Sequence, residues 1–291
     1  MYNVFYIASS HLYEDSNNKE LNTFMSNTPS PQSSDEKKAH VQDYFSRTAA
    51  SYVTSISHRT GGDLNRLIEL GEWNPQQLAI DIATGGGHTA RAVAPYVAQV
   101  TVTDLTPVML DSAKAFLQSE GITNAQFQVA DAENLPFAAD SFDRATCRIA
   151  PHHFPNVARA VQEAARVLKP GGLFLLIDSI APKDSALDAF DNAIEKLRDP
   201  SHERSYTKEE WLTFFAQAGL QVAHVEIFRR THNFDDWTLR SQMLISDKEK
   251  LENYILNSTP HVRQYFDVVT REDGHLSSFT TDSILLKGRK Q

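Results

Sequence analysis

The stretch "DIATGGGHTARAVA", Asp81 to Ala94, decides the architecture. An apolar strand, "LAIDIA" (78–83), runs into three consecutive glycines, and a helical pattern follows from Gly87 to Tyr96. Glycine has no Cβ, so a turn of this kind lets bare backbone come up against a ligand. That ligand can be a pyrophosphate, a lone phosphate, or a nucleoside with no phosphate. The residues on either side must discriminate among them.

Downstream, strands and helices alternate. "QVTVTD" (99–104), "AQFQVAD" (125–131), "FDRATCRI" (142–149) and "LFLLID" (173–178) read as further strands. A helix opens with Thr106 as the expected N-cap and Pro107 at its first position, closing at Gly121. Another, "NVARAVQEAARVL", is capped by Asn156 and stopped by Lys169-Pro170-Gly171-Gly172. Near-continuous apolar strands joined by helices mean a parallel sheet covered on both faces. Helices near 184–198 and 207–218 follow, then strands near 221–229 and 281–288.

The flanks divide the chain further. Residues 1–34 are rich in Ser, Asn, Pro and Thr without period and read as a disordered tail, with Met25 a candidate second start. Residues 35–74 form N-terminal helices, expected as a lid; Val41, Tyr44, Phe45, Thr48 and Tyr52 recur at helical spacing. Residues 75–230 are the core, 231–279 a helical cap insertion, and 280–291 the last strand of the core sheet.

Bulk properties narrow the function classes. The chain has 291 residues, 41% hydrophobic, with a formal net charge of -9. An acidic chain is a poor nucleic-acid binder, because such binding neutralises phosphates with Lys and Arg. The lone cysteine, Cys147, cannot form an intramolecular disulfide or a cysteine-based zinc site, which suits the cytoplasm. No apolar run is long enough to span a bilayer, and the N-terminus has no basic region of the kind that opens a signal peptide. No spacing suggests a metal site.

Gly85-x-Gly87-x-x-Ala90 satisfies the dinucleotide fingerprint, and Asp104 stands where a ribose-binding acid would. Three features favour a ligand without phosphate. Asp81 sits just before the turn, where it would repel a phosphate. Asp131 ends the third strand, before "NLPF", where it can accept from an exocyclic amine. The Walker-A order GxxxxGK[ST] is absent. Acids at the ends of three strands suit an ammonium, a ribose diol and an adenine.

Asp81–Gly87, Asp104, "ADAENLPF", "SFDRATC" and "LKPGG", in that order, resemble the class I S-adenosylmethionine-dependent methyltransferases. The chain is most similar to the group around the ubiquinone/menaquinone-biosynthesis C-methyltransferases. "CRIAPHHF", "RDPSH" and the long C-terminal segment resemble its YcgJ-like bacterial branch. The resemblance covers about 36–288 and implies an α/β, Rossmann-like, doubly wound sheet. That sheet has seven mostly parallel strands, the last antiparallel, plus a helical cap. It departs at Ala83, where the family usually has glycine.

The cofactor implied is S-adenosyl-L-methionine. Gly85 and Gly87 would approach it, and Asp81 would orient the turn or meet its amino-acid end. Asp104 would bind the ribose hydroxyls, Asp131 and the Ala132 N–H the adenine, with Leu105 and Met109 flanking. Arg148 would pair with the methionine carboxylate or a substrate anion, unless it forms a plain surface ion pair. His152 and His153 are candidate proton acceptors, and His202 is expected to reach the same crevice. Tyr52 and Trp237 are candidate walls of a substrate pocket, against the alternative of core packing.

The reaction expected is in-line methyl transfer to a small organic acceptor. The absence of an Asn-Pro-Pro-Tyr type motif after the fourth strand argues against adenine or glutamine N-methylation. An NAD(P)-dependent oxidoreductase, a non-catalytic S-adenosylmethionine-binding protein and, less favoured by charge, an RNA methyltransferase are the rival readings. A homodimer is among the assemblies the sequence allows.

Overall fold

The computed structural model describes residues 33–53 and 62–291. The disordered-tail reading falls almost wholly on residues outside these, as does Met25. A long helix α1 (Ser34–Val53) and a short α2 (Gly62–Leu70) precede the sheet. Then come β1 (Leu78–Ile82), α3 (His88–Val93), β2 (Gln99–Asp104), α4 (Pro107–Ser119), β3 (Ala125–Val129) and β4 (Phe142–Arg148). After them follow α5 (Val157–Val167), β5 (Leu168–Ile180), α6 (Ser185–Arg198), α7 (Lys208–Gln217) and β6 (Leu220–Asn233). The C-terminal part holds α8 (Phe234–Arg240), α9 (Ile245–Leu256), α10 (Pro260–Tyr265), the two-residue β7 (Val269–Thr270) and β8 (Leu276–Lys290).

The strands pair in the order β3-β2-β1-β4-β5-β8-β6, with β7 added beside β8. β1 to β5 are mutually parallel, and β8 runs antiparallel between β5 and β6. The expected mostly parallel sheet with an antiparallel last strand is therefore present. The strand order reverses between β1 and β4. In an open α/β sheet the ligand crevice lies at the carboxyl ends of the strands beside such a switch point.

Alternation along the strands builds a core on each face. Ile80 and Ile82 join Cys147 and Leu176 on one side, packed by Trp211 and Phe215. Ala79, Val100, Val102 and Leu175 line the other with Leu117 and Val93. A third cluster is separate. Leu187, Phe190 and Ile194 of α6 pack against Phe234, Trp237, Leu251, Ile255 and Phe266 of the C-terminal helices, closed by Leu276 and Phe279 of β8.

Several element ends differ from the sequence reading. β5 begins at Leu168, so Lys169-Pro170-Gly171-Gly172 is a bulged start of the strand, not a loop before it. β6 and β8 are much longer than read, because each pairs with the other from Leu220↔Lys290 to Asn233↔Ser278. Asn156 does cap α5, accepting from Arg159 N at 3.0 Å. Thr106 stands at the N-cap of α4 with Pro107 following, as expected, but its side chain accepts no capping bond; its own N–H donates to Asp104 Oδ1 at 2.9 Å. No described helix is long and apolar enough to cross a membrane.

Candidate functional site

The glycine turn leaves β1 through Ala83, which adopts φ 53, a left-handed conformation that costs an L-residue about 1–2 kcal/mol. The turn is fixed from below. Asp81, 1% exposed, accepts from Thr84 Oγ1 and Thr146 Oγ1, both at 2.6 Å. Burial raises its pKa to about 6, against the pull of those hydroxyls. Asp81 is not among the residues lining the cleft above, and its side chain holds the turn through Thr84 and Thr146.

Gly87 is likewise off the cleft wall. It has φ 83, and a Cβ there would stand 2.5 Å from Leu117 Cδ1. This glycine lets α3 and α4 pack closely, while Gly85 and Gly86 face the cleft.

Asp104 ends β2 and joins the cleft wall with Ala83, Leu105 and Met109. Its two oxygens accept from the backbone N–H groups of Gly85 and Thr106, each at 2.9 Å. A carboxylate offers about four acceptor sites, so these bonds orient it without exhausting its capacity. Burial raises its pKa to about 6, against the backbone hydrogen bonds. At the end of β3, Asp131 and Ala132 complete that side of the wall.

α1 lies across this cleft. Lys38 Nζ bonds Asp131 and Glu133, each at 2.7 Å, Lys37 pairs with Glu203, and Gln42 Nε2 donates to Leu105 O at 2.9 Å. Phe45 stands edge-on to His153 with ring centroids 5.0 Å apart. Under this cover the enclosed volume is about 100 Å³.

The end of β4 carries the third group. Arg148 forms a two-pronged ion pair with Asp63 of α2, Nε to Oδ2 at 2.9 Å and Nη2 to Oδ1 at 3.1 Å, both side chains almost wholly buried. The sequence alternative of a surface pair is thus excluded. Burial pushes Asp63 up, but the charges of Arg148 and Arg230 outweigh it and hold the carboxyl below its usual range. Next, Ile149 has φ 54, a genuine outlier for a β-branched residue. Ile149 and His153 line both the first cleft and a second cavity of about 900 Å³.

His152 faces that second cavity. Its Nδ1 donates to Asp178 Oδ1 at 2.6 Å, and Asp178 is 1% exposed with Oδ2 lacking a hydrogen-bond partner among the described residues. Burial opposes a charged ring, but the Asp178 carboxylate outweighs it and raises the His152 pKa. With Nδ1 bonded to a carboxylate, Nε2 is the ring's proton-accepting atom. His153 differs. Burial first, then the neighbouring His152, lower its pKa to about 3, so it stays neutral, bonded to Ser201.

The remaining sequence candidates separate. His202 lines neither cavity; it is 1% exposed, lies behind His152 with centroids 5.5 Å apart, and bonds Asn192 Oδ1 at 3.1 Å. Its backbone carbonyl also accepts from Lys196 Nζ at 2.6 Å, which ties this buried histidine to α6. Trp237 lines the second cavity and also belongs to the cap's core. Tyr52 falls within α1, but its side chain lies outside the described residues. Sequence reasoning missed Lys38, His88, Asp63 and Asp178. His88 follows the glycines directly and was legible by position; Asp63 meets Arg148 across 85 residues and carried no local signal.

Comparison with known proteins agrees with this geometry. The family described as "Methyltransferase domain" matches residues 80–176. The uncharacterized methyltransferase YcgJ of Bacillus subtilis is 36% identical over 247 residues, covering 85% of this chain and 98% of that one. Its crystal structure superposes with a TM-score of 0.77. A Bacillus halodurans C-125 protein described as a candidate methyltransferase is 41% identical, also with a TM-score of 0.77, covering 79% of this chain and 99% of that one. A ubiquinone/menaquinone biosynthesis C-methyltransferase of Coxiella burnetii is 31% identical over 170 residues, 54% of this chain and 67% of that one.

Proposed function

The chain belongs to the YcgJ-like group of class I S-adenosylmethionine-dependent methyltransferases, and from that premise we propose that it methylates a small organic acceptor by in-line displacement. The observation that carries this reading is the pair of cavities meeting at Ile149 and His153, one lined by strand-end carboxylates, the other by His152.

The cleft residues fit S-adenosyl-L-methionine. Asp104, pre-oriented by two backbone bonds, faces the space a ribose diol would fill. Gly85 and Gly86 present bare backbone, and Leu105 and Met109 supply apolar flanks for a base. The cleft's two cations, Lys38 and Arg148, are both held by carboxylates, so the wall suits a cationic ligand better than a pyrophosphate. Asp131 would accept from the adenine amine once Lys38 yields, with the Ala132 N–H directed at the ring. Arg148, committed to Asp63, would fix the end of β4 and offer a methionine carboxylate only its remaining donor capacity. An enclosed volume of about 100 Å³ lies below the roughly 300–1,000 Å³ of ligand pockets, so α1 would act as a lid that shifts when the cleft fills.

Bound there, the cofactor supplies an electrophilic methyl on a sulfonium. Ile149 and His153 would shape the passage through which donor and acceptor meet, and alignment alone can contribute on the order of 7–11 kcal/mol. His152 Nε2 would take the acceptor's proton as the new bond to the methyl forms, with the buried Asp178 carboxylate stabilising the imidazolium. Neutral His153 would pack the passage without adding charge.

Two measurements test the reading. Calorimetry should show S-adenosylmethionine binding and no comparable binding of NAD; the reverse would return the oxidoreductase. Methyl-labelled cofactor incubated with the protein and a small-molecule extract should yield labelled product. Cofactor binding without label transfer to any fraction would leave a binding protein on a methyltransferase fold.

A further inference from the structure

We propose that the methyl acceptor is a small organic acid whose carboxylate seats among Arg198, Arg230 and Arg240 in the second cavity, with its reactive atom turned to His152 on the wall of the same cavity. This rests on the methyltransferase reading and adds the acceptor's chemical class.

Ile149 and His152 line the cavity together with Arg198 of α6, Arg230 and His232 of β6, and Arg240 of α8, and the three arginines all bear on His232. Among the described residues its lining carries five arginines, Arg66, Arg198, Arg229, Arg230 and Arg240, against four carboxylates, Asp63, Glu195, Glu226 and Asp236. Asp63 serves both Arg230, at 3.2 Å, and Arg148 of the first cleft. Glu195 is held by Arg198 at 2.8 Å. Asp236, also on the wall, is exposed at the mouth, where water screens it, and the Arg66–Glu226 pair sits at the part-exposed rim.

The field of these groups registers on their neighbours. Burial is the main reason the His232 pKa falls to about 3, and Arg230, Arg240 and Arg198 push it the same way while Glu195 opposes. Burial also lowers Arg230, and the nearby Arg148 adds to it. A guanidinium held in this environment is stabilised by an incoming anion, and its planar fork matches a carboxylate's two oxygens. His232 is tied to Thr281 Oγ1 at 2.9 Å, so it is fixed as a neutral wall beside the arginines.

Phe228, Trp237 and Ile149 add apolar surface to the same wall, suited to a ring or short alkyl body. The Arg198 guanidinium lies 4.9 Å over the Trp237 ring, which holds it in place facing the cavity.

The test uses matched acids and amides. Full-length protein is first titrated with S-adenosylhomocysteine; absence of binding strikes the methyltransferase reading and not the acid preference. Benzoate, phenylacetate and their primary amides are then titrated into the protein by ligand-observed NMR, with and without that ligand. The acids should bind at least tenfold more tightly than the amides. Arg230→Gln and Arg240→Gln should each erase most of that preference while changing S-adenosylhomocysteine affinity less than twofold. Arg230→Gln leaves Asp63 paired with Arg148, and Arg240→Gln lies on the cap, so the two variants load the fold differently. Equal binding of acid and amide, no binding of any acid in the millimolar range, or a preference retained in both variants would overturn the proposal.

Discussion

The two cavities that share Ile149 and His153 are built on opposite plans. The first is assembled from the ends of β1 to β4 under α1, and backbone, strand-end acids and apolar side chains make its wall. The second draws on α2, α6, β6 and α8, and its arginines and carboxylates stand among histidines and apolar side chains. A backbone-built cleft is determined by local turn geometry and suits a ligand that never changes. A side-chain-built cavity can change occupant by substitution without disturbing the sheet, as expected where relatives on one fold take different acceptors.

The comparison can be broken most sharply at His152. His152→Gln should lower the methyl-transfer rate by roughly 10²–10⁴-fold, the range for a lost general base, with S-adenosylmethionine affinity unchanged. A parallel loss of cofactor binding would merge the two cavities into one functional unit. Phe266→Ala, in the cap's own core, should cost about 3–5 kcal/mol of stability in denaturant unfolding, with cofactor affinity retained in the folded protein. Weakened cofactor binding there would show that the cap also shapes the cleft.

Asp104→Asn tests the first cavity alone and should weaken cofactor binding by about tenfold to hundredfold, the value of charge-assisted hydrogen bonds. The same carboxylate predicts a pH dependence. Its pKa of about 6 means that protons compete with ribose hydroxyl donors, so cofactor affinity should rise as pH increases through about 6 and level off above 7. For stability the sign is opposite. Asp81 and Asp104, both raised to about 6, bind more protons folded than unfolded between pH 3.8 and about 6, so together they make the fold less stable as pH rises through that window. Calorimetric titrations at a series of pH values check the first, and thermal unfolding the second. The smallest effect is expected at Ala83→Gly, which relieves a left-handed backbone and should stabilise by about 0.5–1 kcal/mol, after the entropy glycine returns to the unfolded chain.

What could be read in advance follows the same division. The alternation of strands and helices, the glycine turn and the placement of Asp104 and Asp131 at strand ends were legible because each is a local demand of backbone geometry. Gly87 carries a second demand that no local pattern shows: a Cβ there would meet Leu117, thirty residues on. Arg148 could be placed at the edge of the crevice, but its commitment to Asp63 depends on where α2 docks. Arg230 and His232 carry no sequence signal, and Arg198 enters only as the first residue of "RDPSH". They are ordinary polar residues in sequence, and only the pairing of β6 with β8 and the docking of α6 bring them together.

That pairing also sets a schedule. β6 has no neighbour in the sheet except β8, whereas β1 to β5 are complete as a parallel set by residue 180. During synthesis, therefore, the nucleoside half can consolidate while β6 waits exposed as an unpaired edge, and the arginine-lined chamber closes only after residue 290 has cleared the ribosome. A chain stopped between those points would carry the strand-end cleft but lack the wall that β6 and β8 give the second cavity.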